Sequence, residues 1–372
     1  MFVVSLPGSA MSLSPSVFPV FKQLGIYDEF IRLSVPVKTA TGYTADFNII
    51  QQFEFDFVRE RFGGYLQIID RPALYELLVR LVPTGKILYG KKVLSIEQDD
   101  DRATICTSDG MKHHGDVIVG ADGAYSAVRQ ALYKILSENN ELPKEDDTSP
   151  PYNTTCVVGV TRPLAPEILD INDDECRCVS ILYDNLPYMS LGFTAKGGRC
   201  EWMVCQYSDD YKTRDDEDRF RNSEWGPEAS QTMCDAVRDL PSPFGKGQTL
   251  GSLIDNTDRE GISKVMLEEK LYKTWHHGRT VLLGDACHKF FPAAGQGAVT
   301  AMLDAVALAN VLEACPTNHV DDIKRCLDAY KEDQFPVAKQ AYDTSVVVGA
   351  LWKRVRITYR YLMAVNVSVE FT

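Results

Sequence analysis

The stretch that most constrains this chain runs from Arg279 to Leu312. Thr280–Leu283 is a short apolar run of β-forming residues and reads as a buried parallel strand. Gly284-Asp285 ends it at a turn, and Pro292 to Gly297 follows as a loop of small residues. From Ala298 the period becomes helical, with Ala301, Ala305, Leu308 and Leu312 recurring at three- and four-residue steps. A strand that stops at Gly-Asp and passes through a glycine-rich loop into a helix suits a polyhydroxylated, negatively charged ligand. The first N–H groups of the helix lack partners within it and carry partial positive charge. Glycines let backbone approach the ligand, and the Asp285 carboxylate accepts hydrogen bonds from hydroxyls. The plainer alternative is an ordinary strand–turn–helix connection whose glycines serve only the turn.

The same design recurs upstream. Asp116–Ala121 reads as a buried strand, followed by Asp122-Gly123 and then by Ser126 and Arg129 on the next helix. For Arg129 the alternative is a helix-surface salt bridge, which contributes little. Before it, Gly85 to Cys106 alternates as two strands joined by Asp99-Asp100-Asp101, and Asp109-Gly110 makes a further turn. Tyr65–Ile69 is a short strand, and Asp70-Arg71-Pro72 opens a helix with Asp70 as its cap. Ser12 to Leu33 reads as a helix capped by Ser14, with Pro15 in its first turn and Gly25 as a stop.

The two glycine turns, taken with GSAMSLSPSVFPVFKQLGIYDEF, DRPALYELL, VIVGADGAYSAVRQAL and GDACHKFFPAAGQGAVTAMLDAVALA, resemble the FAD-dependent monooxygenases of the aromatic-hydroxylase type, the para-hydroxybenzoate hydroxylase-like class, in their fungal secondary-metabolite branch. The resemblance implies an α/β (α+β) architecture. A glutathione-reductase-like FAD-binding domain is built from residues 1–150 and 276–345, with a mixed β-sheet substrate domain inserted at 151–275 and a C-terminal helix at 346–372. It implies that Arg71 lies near the FAD phosphates and ribityl chain, that Asp122 and Gly123 touch the sugar-phosphate region, and that Arg129 supports the nucleotide side. It implies further that Gly284 and Asp285 hold the ribityl chain, while Pro292, Gly295, Gln296, Gly297 and Ala298 border the flavin ring. The implied reaction has NADPH or NADH reduce the flavin and O2 add at C4a. The resulting hydroperoxide passes one oxygen atom to an apolar or aromatic small molecule. No side chain need act as nucleophile, and none is assigned a catalytic role.

The family's first βαβ unit, with its GxGxxG turn for the FAD pyrophosphate, is not found: the first tight glycine pair is Gly63-Gly64. The expectation is an N-terminally truncated FAD-binding domain; the alternative is a flavin-free remnant with a binding role or no catalytic one. Two positions of the GD helix also depart from the pattern, with Val299 in place of Asn and Leu303-Asp304 in place of Glu-Asp.

Between the turns, Thr154–Val160, Cys178–Leu182, Tyr188–Phe193 and Glu201–Cys205 are strand candidates, and Met233–Leu240 is a short helix. Met189, Phe193, Trp202, Met203 and Tyr207 are pocket-lining candidates by texture alone; each residue type is more often core. Asp209 to Arg221 is charge-dense and reads as a solvated loop or helix. His276-His277 cannot easily share one metal, because adjacent strand residues face opposite ways, and no metal site is expected. His288, inside the GD loop, is taken as structural.

At the carboxyl end two helices are expected, Val320–Tyr342 and Val346–Met363. The second either packs on the FAD-binding domain or associates weakly with a membrane through its basic and aromatic residues. Its four internal charges exclude a comfortable span.

Composition narrows the class. A net charge of −13 argues against nucleic-acid partners, since phosphate contacts need clustered Lys and Arg. Ten cysteines without CxxC or metal-type spacing, and a start too short for a signal segment, point to free thiols in a reducing compartment. The expected location is cytoplasmic, with attachment to the face of an intracellular membrane left open.

Overall fold

Alternation of side chains across strands builds the largest element, a seven-stranded sheet. A computed structural model describes residues 10–365 apart from 170, 184–185, 214–226 and 246; for 209, 227–229, 293 and 351–365 it describes the backbone alone. The sheet runs in the order Ser263–Glu268, Tyr152–Val160, Arg199–Lys212, Tyr188–Ala195, Cys178–Leu182, Thr39–Thr44, Ile49–Glu54. Cys178–Leu182 pairs parallel with Thr39–Thr44, and the other neighbours are antiparallel. The period of two is plain in Arg199–Lys212. Cys200, Trp202 and Val204 enter one buried cluster with Val157, Ile181 and Leu253, whereas Cys205 and Tyr207 enter another with Leu182, Met189 and Phe291.

The four strands expected between 154 and 205 all belong to this sheet. Thr39–Thr44 and Ile49–Glu54 were not anticipated, because Gly42 and a run of polar residues blur their alternation. They tie the amino-terminal third into the sheet. The charged stretch Asp209 to Arg221 lies for most of its length outside the described residues.

Register also places Cys156 opposite Cys205, with Cα atoms 4.2 Å apart, and the two form a disulfide. This corrects the expectation of free thiols throughout: cross-strand neighbours come close whatever their separation along the chain.

The second framework is the parallel pair Ile118–Gly120 and Thr280–Leu282, with Thr280 opposite Ile118. Thr280–Leu282 is wholly buried as expected. Ile118–Gly120 is not, since it forms the edge of its three-stranded sheet and Val119 is 41% exposed. Full burial of a parallel strand needs cover on both faces. Helix Ala127–Glu138 covers one face through Val128, Leu132 and Leu136, which pack with Trp275, Val281, Leu327 and Tyr330. Gly120 permits that approach: a Cβ there would lie 2.7 Å from Leu282 Cδ2 and 2.9 Å from Val128 Cγ1.

The amino end differs from the single helix expected over Ser12 to Leu33. Ala10–Leu13 is a strand in a small antiparallel sheet with Leu66–Asp70 and Ser34–Val37. Helices Phe18–Gln23 and Tyr27–Leu33 follow, separated at Gly25, whose φ is +70°. Ser14 bonds the Ser16 hydroxyl instead of capping. Asp70 likewise makes no cap on helix Arg71–Val79; its carboxylate pairs with Arg199 of the large sheet. In both places a nearer or charged partner outcompetes a backbone N–H.

At the carboxyl end the two expected helices are one, Val320–Val365, with Pro336 inside it. The side chains proposed to make its terminal basic and aromatic face lie outside those described. Among the described residues no helix is long and apolar enough to cross a membrane.

Candidate functional site

Arg71, Gly123, Gly284, Asp285, Pro292 and Gly295–Ala298 line one cleft of about 1260 Å³. The two glycine turns, far apart in sequence, thus border a shared space beside the seven-stranded sheet. Asp122 and Arg129 are not among its lining residues.

Each turn is built from a strand end. After Thr280–Leu282 the chain turns at Gly284, whose φ is +60° and whose added Cβ would lie 3.0 Å from the Ala301 Cβ. This close approach seats the turn against helix Gly297–Glu313. Asp304 of that helix fastens it, with Oδ2 accepting from the Gly284 N–H at 2.9 Å and meeting His288 Nε2 at 2.5 Å. Both side chains are fully buried. The buried helix face therefore runs through Thr300, Asp304 and Leu308, and not through Ala305, which is exposed. Sequence reading missed Asp304 because an aspartate counts as polar; its four-residue spacing from Thr300 and Leu308 was the available signal. Cys287, His288 and Asp304 bring potential ligand atoms within 4.8 Å of one another, but His288 and Asp304 already bond each other.

Asp285 is left facing the cleft, and no hydrogen bond to its carboxyl is found among the described residues. Burial pushes this carboxyl above its ordinary range, against the opposing pull of Lys289, His288, Arg71 and Arg129. An incompletely satisfied carboxyl beside a helix N-terminus fits a ligand that presents hydroxyl groups.

The upstream turn uses its carboxylate differently. Asp122 accepts from Ser126 Oγ at 2.5 Å and from the N–H groups of Ala127 and Val128 at 2.7 and 3.1 Å. Ser126 in turn accepts from the Arg129 N–H at 2.9 Å. These bonds cap helix Ala127–Glu138. Among the described residues Arg129 makes no surface salt bridge. It is buried, donates to the carbonyls of Ala286 and Ala124 at 2.9 and 2.7 Å, and lies over the Tyr272 ring, joining the two turns.

Open backbone completes the cradle. A Cβ added at Gly123 or Gly297 would meet nothing within 4 Å, so main chain faces the cleft there. Together with Asp285 and the N-terminus of helix Gly297–Glu313, these turns offer the polar groups and open backbone that a flavin requires.

The sheet supplies the opposite wall. Met189, Phe193 and Met203 line it as expected. Trp202 and Tyr207 do not: Trp202 faces the other side and donates to Thr257 Oγ1 at 2.9 Å, and Tyr207 is buried beneath, its hydroxyl 3.7 Å from Met189 Sδ. The charged lining residues are Arg71, Asp285 and Glu201; the last was not singled out from sequence. His276 of the short strand His276–His277 lies 3.3 Å from Asp328, away from this lining.

Residues 228–345 match the family model described as an FAD binding domain. The FAD-dependent monooxygenase ptmM of Penicillium ochrochloron is 32% identical over 349 residues, covering 91% of this chain and 78% of that protein. The FAD-dependent monooxygenase paxM of Penicillium paxilli is 33% identical over 309 residues, covering 82% of this chain and 61% of that protein. Among solved structures, 2,6-dihydroxypyridine-3-hydroxylase from Arthrobacter nicotinovorans superposes with a TM-score of 0.70 at 19% identity, over 95% of this chain and 84% of that one. Klebsiella pneumoniae HpxO complexed with FAD and uric acid gives 0.69 at 20%, over 94% and 83%. These two share the fold, and the sequence relatives carry the assignment: this chain belongs to the FAD-dependent monooxygenase family.

Proposed function

We propose that the chain binds FAD between its two glycine turns and works as a monooxygenase on an apolar or aromatic small molecule held against the seven-stranded sheet. The observation that carries this reading is the single cleft, in which Asp285, Gly123, Gly297 and Arg71 face the apolar wall of Met189, Phe193 and Met203. When bound, the flavin takes electrons from NADPH or NADH and activates O2 for transfer of one oxygen atom.

The protein's part is to bind, orient and exclude water. Asp285 receives the ribityl hydroxyls, and the backbone of Pro292 and Gly295–Ala298 borders the ring. Arg71 lies near enough to act on the charge of both Asp285 and Glu201, which suits it to the polar, phosphate-bearing side of the cofactor. Arg129 ties the two turns together, and Asp122 caps the helix that carries it. The apolar sheet wall keeps the transfer region dry.

A second reading, a flavin-free member of the family, draws on one observation. The strand leading into Ala121 and Gly123 is a sheet edge, and its Val119 is exposed. Titration of the purified protein with FAD, followed by flavin absorbance and fluorescence quenching, separates the two. Stoichiometric uptake and NADPH- or NADH-dependent bleaching support the oxygenase; a protein that stays colourless supports the second reading.

A further inference from the structure

Among the lining residues Glu201 is out of keeping with its neighbours. The cleft-facing row of the large sheet reads Met189, Leu191 and Phe193 on one strand, with Met203 and Glu201 opposite Leu191 and Phe193 on the next. Period-two alternation makes this row the continuation of an apolar face, whose other side carries the fully buried Trp202. A carboxyl in such a row costs free energy unless something meets it. The partners it has are the Ala10 N–H and the charge of Arg71. The neighbouring Asp70 carboxylate is already taken by Arg199.

We propose that Glu201 orients the substrate, its carboxylate accepting a hydrogen bond from a neutral O–H or N–H on an otherwise apolar molecule and so fixing which end of that molecule points toward the flavin. The proposal rests on the monooxygenase reading of the cleft. Charge selects the kind of ligand. With Arg71 beside it, the local charge is nearly balanced once Glu201 is ionised. An ammonium group would be opposed by the guanidinium, and a carboxylate by Glu201 once it is ionised, whereas a neutral donor meets neither penalty. Arg71 acts on the charge of Glu201, and Glu201 acts on the Cys176 thiol; Arg199, two residues away on the same strand, is paired with Asp70, and Asp285 lines the same cleft. Burial pushes the Glu201 carboxyl up to about 8, so the accepting form grows as pH passes that value.

The test compares the binding of cinnamyl alcohol and cinnamyl methyl ether, by calorimetry, to the full chain and to Glu201→Leu and Glu201→Gln. The wild type is expected to favour the alcohol about tenfold, in keeping with a charge-assisted hydrogen bond, and the preference should rise with pH through about 8. E201L should bind both about equally. E201Q keeps a carbonyl acceptor and should retain a smaller preference that does not change with pH. A tenfold preference surviving in E201L overturns the proposal. So does an identical pH profile in wild type and E201Q, or no preference in the wild type, weak binding of both probes included. If E201L does not fold, the E201Q profile decides. FAD uptake is measured on the same samples: failure of uptake in all of them defeats the monooxygenase reading, while the alcohol preference is read without flavin and can fail alone.

Discussion

The two strand–glycine–helix turns are built alike and end up opposed in chemistry. Asp122 and Asp285 each follow a strand of one parallel pair and each precede a helix. Asp122 sits close enough to its helix to bond the N–H groups of Ala127 and Val128, so its carboxylate is consumed within the turn. Asp285 is separated from helix Gly297–Glu313 by residues 286–296, so that helix keeps its first N–H groups and Asp285 remains in the cleft. The carboxylate that secures this second turn comes from Asp304 inside the helix, reaching back to Gly284. One turn closes on itself and stabilises; the other stays open and can bind. Spacing between strand and helix, and not the Asp-Gly pair as such, makes the difference.

The contrast breaks most decisively at Asp304. Asp304→Ala leaves the buried His288 nitrogen and Gly284 N–H without their partner, with an expected loss of about 3 kcal/mol measured by thermal or denaturant unfolding. A variant that melts with the wild type would show that the open turn is held by something else.

Asp285→Asn is expected to weaken FAD binding about tenfold, or about 1.4 kcal/mol, in a fluorescence titration. The same change should leave the cofactor-free protein as stable or more so. The folded-state carboxyl is pushed up by burial, so the folded protein binds its proton more tightly than the unfolded chain does. That acid form is favourable at low pH, and stability is lost as pH rises past the unfolded value of about 3.9 and through the folded one. D285N should flatten this decline in a series of melting curves. A steeper decline would place the charge effect elsewhere.

Asp122→Ala should do the converse, costing about 1 kcal/mol of stability as a lost helix cap while FAD affinity changes by less than about twofold. A loss of flavin as large as that in D285N would dissolve the distinction between the turns. The smallest effect is expected at Lys134→Ala, which removes an exposed 4.0 Å pair with Glu138 on the capped helix. A change within about 0.5 kcal/mol would set the baseline against which the cap is judged.

Much of this was legible in the chain itself. Short-range signals carried the strands at 152–205, the hairpin through Asp99 to Asp101, where Asp99 accepts from Asp101 and Arg102, and the helix after Gly297. Both turns were recognisable because glycine and aspartate at a strand end leave few other local conformations. What escaped was side-chain allegiance over long distance. Asp70 turned to Arg199, Arg129 turned inward to Ala286, and Asp304 entered the core; each choice depends on partners remote in sequence. The strand pair over 39–54 escaped because its place is set by a parallel neighbour at 178–182.

The sequence by itself determined the family and the two turns, since those follow from local backbone requirements and a long run of motif. Only the tertiary structure decided which carboxylate is free. It decided too that Glu201 shares a cleft with Asp285, and that Cys156 faces Cys205. The physical reason is that a polar side chain satisfies itself with whatever donor or acceptor packing brings nearest, and packing is set by contacts hundreds of residues apart as readily as by neighbours.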